Sequence, residues 1–270
     1  IENLSIPGNK KSLCKQYFKS IILGYNHIFI DKMLDSVNTR SNISLPLLHR
    51  WEDKVTINNL VIISHPADAE RICKEHVKKA PIFKSFLYNS IISTTDNDEW
   101  KEQRGNMNMA FIPKLSLQKI FPVSLERAHK CVNVLKSQSD NYTKSVNMSD
   151  FFLHETQAQL QLSMFGFSDI FQEKTNKKLR EAFAGKNVEY INEFTEEALR
   201  EASISNGPLS KLFDIEDDTY KNIGNMIIFS FAGHDTTGHT LSWLLYELCK
   251  NPKYKQELIH EIDTYWLNHM

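Results

Sequence analysis

Most of the chain carries apolar residues at the three- and four-residue spacing of amphipathic helices, and short polar breaks separate the helical segments. The clearest breaks fall at 137–140, 203–208 and Asn251–Pro252. The sequence contains no internal repeat and no low-complexity tract. The pattern therefore predicts a mainly α-helical protein.

One segment departs from the helical pattern. Residues 55–64, VTINNLVIIS, place β-branched residues on both sides of Asn58–Asn59, which predicts a β-hairpin with its turn at the two asparagines. His65–Pro66 then opens a helix over ADAERICKEHV, because proline is favoured at the first helical position. A small β-sheet is therefore expected in the N-terminal half of the chain.

For three further helices, capping residues and helix-breaking residues in the sequence indicate where the helix begins or ends. Asp96 or Asp98 can cap a helix that carries EWKEQRGNMNMAF. A second helix is predicted over 124–137, SLERAHKCVNVLKS. A third is predicted over 149–166, where it begins at a serine or aspartate cap and closes on Gly166, a residue that adopts left-handed backbone at little cost.

The longest predicted helix begins after Asp217 or Asp218 and continues to Lys250, where Asn251–Pro252 ends it. Its length is roughly 32 residues, or about 48 Å at 1.5 Å per residue. A helix of that length has to cross the whole domain.

The middle of this helix, residues 229–240, reads FSFAGHDTTGHT. Each interior glycine costs about 1 kcal/mol relative to alanine, and threonine is a weak helix former. The run from Met226 to Ala232 is apolar on every side, which predicts a segment buried all round. Asp235 would then be a buried carboxylate with a perturbed pKa, a property of groups that transfer protons.

Two interpretations of the motif remain open from its residues alone. In the first, Gly233 leaves room for a bulky flat group, while Thr236 and Thr237 turn their hydroxyls onto a carbonyl of the preceding turn and bend the helix. In the second, the small residues let another helix approach closely, and the polar residues bond to the backbone. The residues alone do not decide between the two interpretations.

The motif also contains residue types that bind metals, namely His234, Asp235 and His239. The two histidines are five residues apart, whereas two ligands on one helix face are four apart, as in HExxH. The spacing therefore disfavours a metal site, and we assign no metal ligand.

The sequence AGHDTT inside a very long helix resembles the central-helix motif of the cytochrome P-450 heme-thiolate monooxygenases. The resemblance implies that Ala232 and Gly233 pass over the heme face where oxygen binds. It also implies that Asp235 and Thr236 act as catalytic residues, relaying protons to the iron-bound dioxygen through ordered water.

A second motif lies in EWKEQR, where Trp100 and Arg104 are four residues apart and share one helix face. On its own, this spacing is typical of an exposed cation–π pair. In the family it resembles, the Trp-x-x-x-Arg helix binds the heme propionates. The similarity extends over about 51–166 and 217–270, including MAFIP after this helix and Phe165–Gly166 at the end of another.

Two features of the family pattern are missing from these residues. The axial cysteine ligand belongs to a glycine-flanked loop after the long helix, and this sequence has no such loop. Its four cysteines, Cys14, Cys73, Cys131 and Cys249, therefore read as ordinary thiols. The family's Glu-x-x-Arg helix also follows the long helix, whereas Glu197–Arg200 precedes it, so that pair is predicted to be a surface salt bridge.

Composition adds limits on location and partners. The formal net charge is −1, which gives no reason to expect nucleic acid. Four scattered cysteines favour a reducing, intracellular compartment. No stretch approaches the roughly 18 apolar residues that span a bilayer, although the first residue, Ile1, leaves a preceding anchor possible. The endoplasmic reticulum membrane and the cytoplasm both remain open as locations.

Together these observations predict one incomplete cytochrome P-450 domain over 1–270, ending soon after the long central helix. The resemblance implies a heme cofactor, a small organic or lipid-like substrate and an electron-donor reductase. The chain alone is expected to be inactive and poorly soluble, since Leu241, Leu244, Leu245 and Leu248 would be exposed. The alternatives are a truncated, heme-free helical interaction module and, less favoured, a metal-dependent hydrolase that uses His234 and Asp235.

Overall fold

A computed structural model describes residues 43–51, 54–63, 65–75, 79, 81–185, 187–213 and 219–269. Contacts divide the chain into two compact units, Ile1–Val77 and Lys78–Met270, where the sequence predicts one domain. Among the described residues, no helix combines the length and apolarity needed to cross a membrane. Asp217 and Asp218, the predicted caps of the long helix, lie outside the described residues, as does Cys14.

In the first unit, strand β1, Ile43–Trp51, pairs antiparallel with β2, Lys54–Ile62, and helix α1 follows at Pro66–Glu75. Asn58 and Asn59 lie inside β2, opposite Leu47 and Pro46, so the hairpin predicted within 55–64 is wrong. The preceding segment offers a partner nine residues long, and pairing with it extends the ladder along the whole of β2. A turn at the asparagines would leave each strand far shorter.

The second unit is helical in its described part. Its helices are α2 Lys84–Leu87, α3 Asn97–Asn108, α4 Pro113–Gln138, α5 Met148–Gln159, α6 Asp169–Gly185, α7 Val188–Ile204, α8 Thr219–Lys250 and α9 Pro252–His269. A π-helical turn, Leu160–Met164, continues α5. The predicted long helix is confirmed as α8, with 32 residues.

The predicted helix ends are correct in some places and wrong in others. Asp96 caps α3, because its Oδ1 accepts from the backbone N–H of Asp98 at 2.8 Å and of Glu99 at 3.1 Å. Helix α4 begins at Pro113 rather than at 124, since proline suits the first turn. Asn147 caps α5, two positions before the predicted serine, Ser149, through a 3.2 Å bond from the backbone N–H of Asp150.

The predicted left-handed glycine is confirmed at Gly166, whose φ is 67°. Gly207 lies directly against it, and a Cβ on either glycine would be within 2.6 Å of the other's backbone nitrogen. The backbone N–H of Leu209 also donates to the carbonyl of Met164 at 2.8 Å. The chain therefore leaves α5 and returns to the same point after α6 and α7.

A cluster of phenylalanines forms the centre of the helical unit. Phe165 and Phe167 stack with ring centroids 4.9 Å apart, and Phe171 meets Phe167 edge-on at 5.0 Å. Phe194 of α7 and Met226 of α8 belong to the same buried cluster. Burying aromatic side chains of this size contributes a large share of the free energy of folding. This core joins α6 and α7 to the long helix.

The long helix also lies very close to the backbone of Leu87, the last residue of α2. A Cβ on Gly224 would lie 2.0 Å from the carbonyl oxygen of Leu87, which is far inside van der Waals contact. Only glycine permits this approach, because every other residue carries the Cβ. Gly105, in α3, differs in that a Cβ there would meet nothing within 4 Å.

We predict that Gly224→Ala lowers the free energy of unfolding by about 1–3 kcal/mol, because the added methyl group forces α8 away from Leu87. Urea denaturation would measure the change. Gly105→Ala is the matched control and should raise stability by about 1 kcal/mol, since alanine favours the helix and finds open space. A Gly224→Ala chain as stable as the parent would contradict the close approach.

Candidate functional site

A cavity of about 880 Å³ opens in the helical unit beside α3 and the long helix. Most of its described lining is apolar, and three of its residues, Lys79, Trp100 and Arg104, carry polar groups. The apolar lining residues are Phe83, Ile91, Ile92, Met107, Phe111 and Phe229. A cavity with an apolar wall and two cations suits a ligand that is largely apolar and carries negative charge.

Trp100 and Arg104 both line this cavity, as their spacing on one helix face predicts. Met107 lies two turns beyond Trp100 on the same helix, is 5% exposed, and lines the cavity beside them. An indole N–H and a guanidinium are donors only, so the pair can bind an anion or another acceptor. The role of either residue in cofactor binding stays a prediction.

Lys79 is the lining residue that the sequence analysis missed. Its Nζ lies 5.9 Å from the centroid of the Trp100 ring and donates to the carbonyl oxygen of Ile91 at 2.7 Å. Partial burial lowers the pKa of the Lys79 ammonium group, since the charged form loses hydration. The sequence shows Lys78–Lys79 as a basic pair but carries no signal for which lysine faces a cavity.

The AGHDTT segment of the long helix begins one turn beyond this cavity. Phe229 lines the cavity and packs against Phe111 with ring centroids 6.0 Å apart, and Ala232 follows three residues later. Thr236 lies a further turn along, on the same side of the helix. The cavity and the predicted catalytic residues therefore lie on consecutive turns of one helix.

Asp235 is not buried, so that prediction is wrong. Its side chain keeps 39% of its surface accessible, and His239 Nδ1 lies 3.5 Å from its Oδ1. Of the apolar run before it, Met226 and Ile227 are buried but Phe231 is 40% exposed, so the run is not buried all round. The side that carries Asp235 and Thr236 is open to solvent in the described part of the chain. The sequence pattern could not show that one side is uncovered.

The glycines of the motif face another helix. A Cβ on Gly233 would lie 2.9 Å from Leu160, and one on Gly238 would lie 2.9 Å from the side chain of Leu153 and 3.1 Å from its backbone. Thr156, between these leucines, donates its hydroxyl to the carbonyl oxygen of His234 at 2.9 Å. The packing interpretation of the motif is therefore supported, and the room beside Gly233 is filled by Leu160.

The hydroxyl of Thr236 donates to the carbonyl oxygen of Ala232 at 2.8 Å, as the sequence analysis predicts. Thr240 repeats the arrangement one turn later, because its hydroxyl donates to the backbone carbonyl oxygen of Thr236 at 2.8 Å. The α-helix nevertheless runs from Thr219 to Lys250 without a break. Each donating hydroxyl keeps its lone pairs free to accept, for example from water.

His234, rather than Asp235, is the buried ionisable residue of the motif. It is 3% exposed, its Nδ1 bonds to the carbonyl oxygen of Ser230 at 2.7 Å, and its ring lies against Phe183 at 5.8 Å. Burial lowers the pKa of His234, which outweighs the opposite effect of that hydrogen bond. The neutral imidazole is therefore the favoured form.

The two histidines of the motif point to different environments, since His234 is buried and the side chain of His239 is 51% exposed. Within the described residues, no group of three or more potential ligands could hold a metal ion. Among the described cysteines, Cys73 and Cys249 are exposed, and burial raises the pKa of Cys131 to about 12. A thiol with that pKa stays protonated near neutral pH.

A family model described as cytochrome P450 matches residues 51–197 and 221–269 of the chain. The chain is 25% identical to cytochrome P450 3A12 of Canis lupus familiaris over 228 residues, covering 66% of this chain and 45% of that protein. It is 23% identical to cytochrome P450 704B1 of Arabidopsis thaliana over 263 residues, covering 74% of this chain and 50% of the relative. The chain thus spans about half the length of the relatives it matches.

We predict that the free energy of unfolding falls as the pH is lowered through about 6.5, because the unfolded chain then binds a proton that the folded chain resists at His234. The fall from this residue is at most about 1.4 kcal/mol per pH unit. Urea denaturation at pH 7.5 and pH 5.5 would measure it. His234→Asn should show a smaller difference between the two pH values, and an equal difference would contradict the assignment.

Proposed function

Because the chain belongs to the cytochrome P450 family, we propose that it is the N-terminal and central part of a heme-dependent monooxygenase, which inserts one oxygen atom of O2 into an organic substrate. The cavity lined by Trp100, Arg104 and Lys79 carries this proposal, since it lies one turn from Ala232 on the long helix. The activity belongs to a longer polypeptide than these residues, because the relatives are about twice as long.

The chemistry of the lining residues fits a heme. A heme is a flat, apolar group with two carboxylates at one edge, and the cavity combines an apolar wall with two cations and one indole N–H. Arg104 and Lys79 would pair with carboxylate oxygens, and Trp100 would donate to one of them. Phe111 and Phe229 would contact the apolar part. A bound heme supplies the oxygen and electron chemistry.

Burial raises the pKa of Cys131 to about 12, so that thiol is not a thiolate near neutral pH, and the sequence has no glycine-flanked cysteine loop. We expect the axial ligand to come from polypeptide outside these residues. The same source would cover the exposed side of the long helix, where the side chains of Trp243, Leu244 and Tyr246 are 63%, 48% and 49% exposed.

Asp235 and Thr236 would deliver protons in this enzyme. The Asp235 side chain keeps 39% of its surface accessible, so water can reach its carboxylate, and His239 Nδ1 bonds to the backbone carbonyl oxygen of Asp235 at 2.8 Å. The Thr236 hydroxyl is fixed by its bond to Ala232 and can accept a hydrogen bond from a water molecule. Ala232 offers a small surface between them and Phe229. Gly233 would contribute through its packing on Leu160, which sets where this surface lies.

The remaining partners follow from the family. We propose a small organic or lipid-like substrate and an electron-donor reductase, and a membrane or cytoplasmic location inside the cell. A heme-free helical interaction module is the second candidate, and the exposed aromatic residues of the long helix favour it. That candidate predicts no heme uptake.

We expect the chain to bind ferric heme more tightly than heme dimethyl ester, whose carboxylates are blocked. Arg104→Ala should weaken heme binding roughly tenfold or more and leave the ester's affinity unchanged, because a lost charged hydrogen bond is worth about 1.5–3 kcal/mol. Absorbance titrations would measure both affinities. Lys101→Ala is the control, since Lys101 pairs with Asp98 at 3.1 Å on the exposed side of α3. No heme uptake would support the second candidate.

In the complete protein, Thr236→Ala and Asp235→Asn should lower the fraction of electrons that reach product about tenfold or more, because proton delivery by a positioned group contributes at least that much. Product and hydrogen peroxide, each measured per electron donor consumed, would show the change. Thr240→Ala removes an equivalent hydroxyl bond one turn away and should leave coupling intact. Normal coupling in both test variants would refute the assignment of Asp235 and Thr236.

A further inference from the structure

A chain of buried amide hydrogen bonds joins three walls of the cavity. Asn225 of the long helix donates from Nδ2 to Oε1 of Gln103 on α3 at 3.0 Å. Gln103 in turn donates from Nε2 to the carbonyl oxygen of Asn89 at 2.9 Å. The backbone N–H of Ile91 donates to Oδ1 of Asn225 at 2.9 Å, which closes the chain on the loop before α3.

Both amide side chains are almost completely buried, and in each the amide nitrogen and the amide oxygen are both hydrogen-bonded. Gln103 is 5% exposed and Asn225 is 4% exposed. Replacing either one leaves a donor or acceptor of the other without a partner, which is costly away from water. Hydrogen bonds are directional, so this pair fixes the rotation and register of α3 against the long helix, whereas an apolar contact would fix mainly the distance.

The cationic groups of the cavity depend on this pair. Gln103 directly precedes Arg104 and lies three residues after Trp100, so it moves with both on α3. The carbonyl of Ile91, whose N–H bonds to Asn225, accepts the 2.7 Å hydrogen bond from Lys79. The buried pair of Gln103 and Asn225 thus fixes the positions of Arg104 on one wall and of Lys79 on another relative to the long helix.

We infer that Gln103 and Asn225 are positioning residues, which set the spacing of Lys79, Trp100 and Arg104 so that these groups bind the carboxylates of a heme together. The inference rests on the proposed heme site. Neither residue lines the described cavity, so each acts through the groups it holds. Displacement of such groups by about 1 Å is enough to lose most of their benefit.

The test compares heme with heme dimethyl ester in Asn225→Leu. The affinity for heme divided by the affinity for its ester isolates what the carboxylates contribute to binding. We expect this ratio to fall roughly tenfold toward 1 in Asn225→Leu, while the affinity for the ester stays within about twofold of the parent chain's. Absorbance titration measures both. A variant that is merely less stable would lose affinity for both ligands by the same factor, and that outcome would overturn the inference, as would an unchanged ratio.

The matched control is Asn176→Leu, the same substitution at a buried asparagine of α6. Asn176 is 0% exposed and its Nδ2 donates to the carbonyl oxygen of His154 at 3.0 Å, away from the cavity lining. It should lower stability and leave the affinity ratio intact. Gln103→Met serves if Asn225→Leu does not fold, because methionine keeps the side chain's length and removes only the amide.

A second measurement tests the positioning role of Gln103 and Asn225 separately from the proposed heme site. If the parent chain binds heme and its ester equally, or binds neither, the proposed site is refuted. The readout is the quenching of Trp100 fluorescence by iodide, obtained as the difference in quenching between the chain and its Trp100→Phe variant. Dividing this quenching by that with neutral acrylamide gives an iodide preference, which reports the nearby cations whether or not heme binds. Asn225→Leu should lower this iodide preference about twofold or more, because weaker local positive charge attracts less anion, and an unchanged preference would overturn the positioning role.

Discussion

The close packing of α5 on the long helix is the constraint on which the rest of the site depends. Gly233 and Gly238 cost helix stability, yet each lets a leucine of α5 or of its π-helical extension come so close that an added Cβ would lie 2.9 Å from it and would force a shift. Thr156 then adds a hydrogen bond to the backbone of the motif itself. The contact fixes the rotation of the long helix about its own axis. Asp235 and Thr236 consequently lie on the open side, and His234 lies inside.

The long helix is held at two levels, and each level serves a different part of the site. Near its beginning, Gly224 and Asn225 bring the loop and α3 against it, which builds the cavity. In its middle, the glycine contacts with α5 orient the motif. Asn225 and Asp235 are ten residues apart, or about 15 Å along the axis. A rigid helix therefore carries the geometry of one region to the other.

Local signals in the sequence were enough for the features that are themselves local. The ends of the long helix, the cap at Asp96 and the left-handed Gly166 each depend on neighbouring residues, and each was predictable. The shared face of Trp100 and Arg104 follows from helix periodicity alone. These residues also carry the family resemblance.

The features that were missed depend on contacts between distant residues. Gln103 and Asn225 are 122 positions apart, and nothing near either one indicates its partner. The exposure of Asp235 depends on what lies across from the helix, which periodicity cannot show. The sequence wrongly predicts a hairpin within 55–64 because the pattern of that segment does not show its true partner. The partner strand, Ile43–Trp51, precedes it and has a pattern of its own.

The contact between Gly166 and Gly207 brings the two ends of the segment between them together. Residues 167–206 start and finish at one point on the scaffold, so additional residues in the connection between α6 and α7 would leave the positions of its two ends unchanged. Closing a longer loop costs little additional entropy, since the cost grows only with the logarithm of its length. The architecture thus combines two helices that pack in the core with a connection whose length can change at low entropic cost.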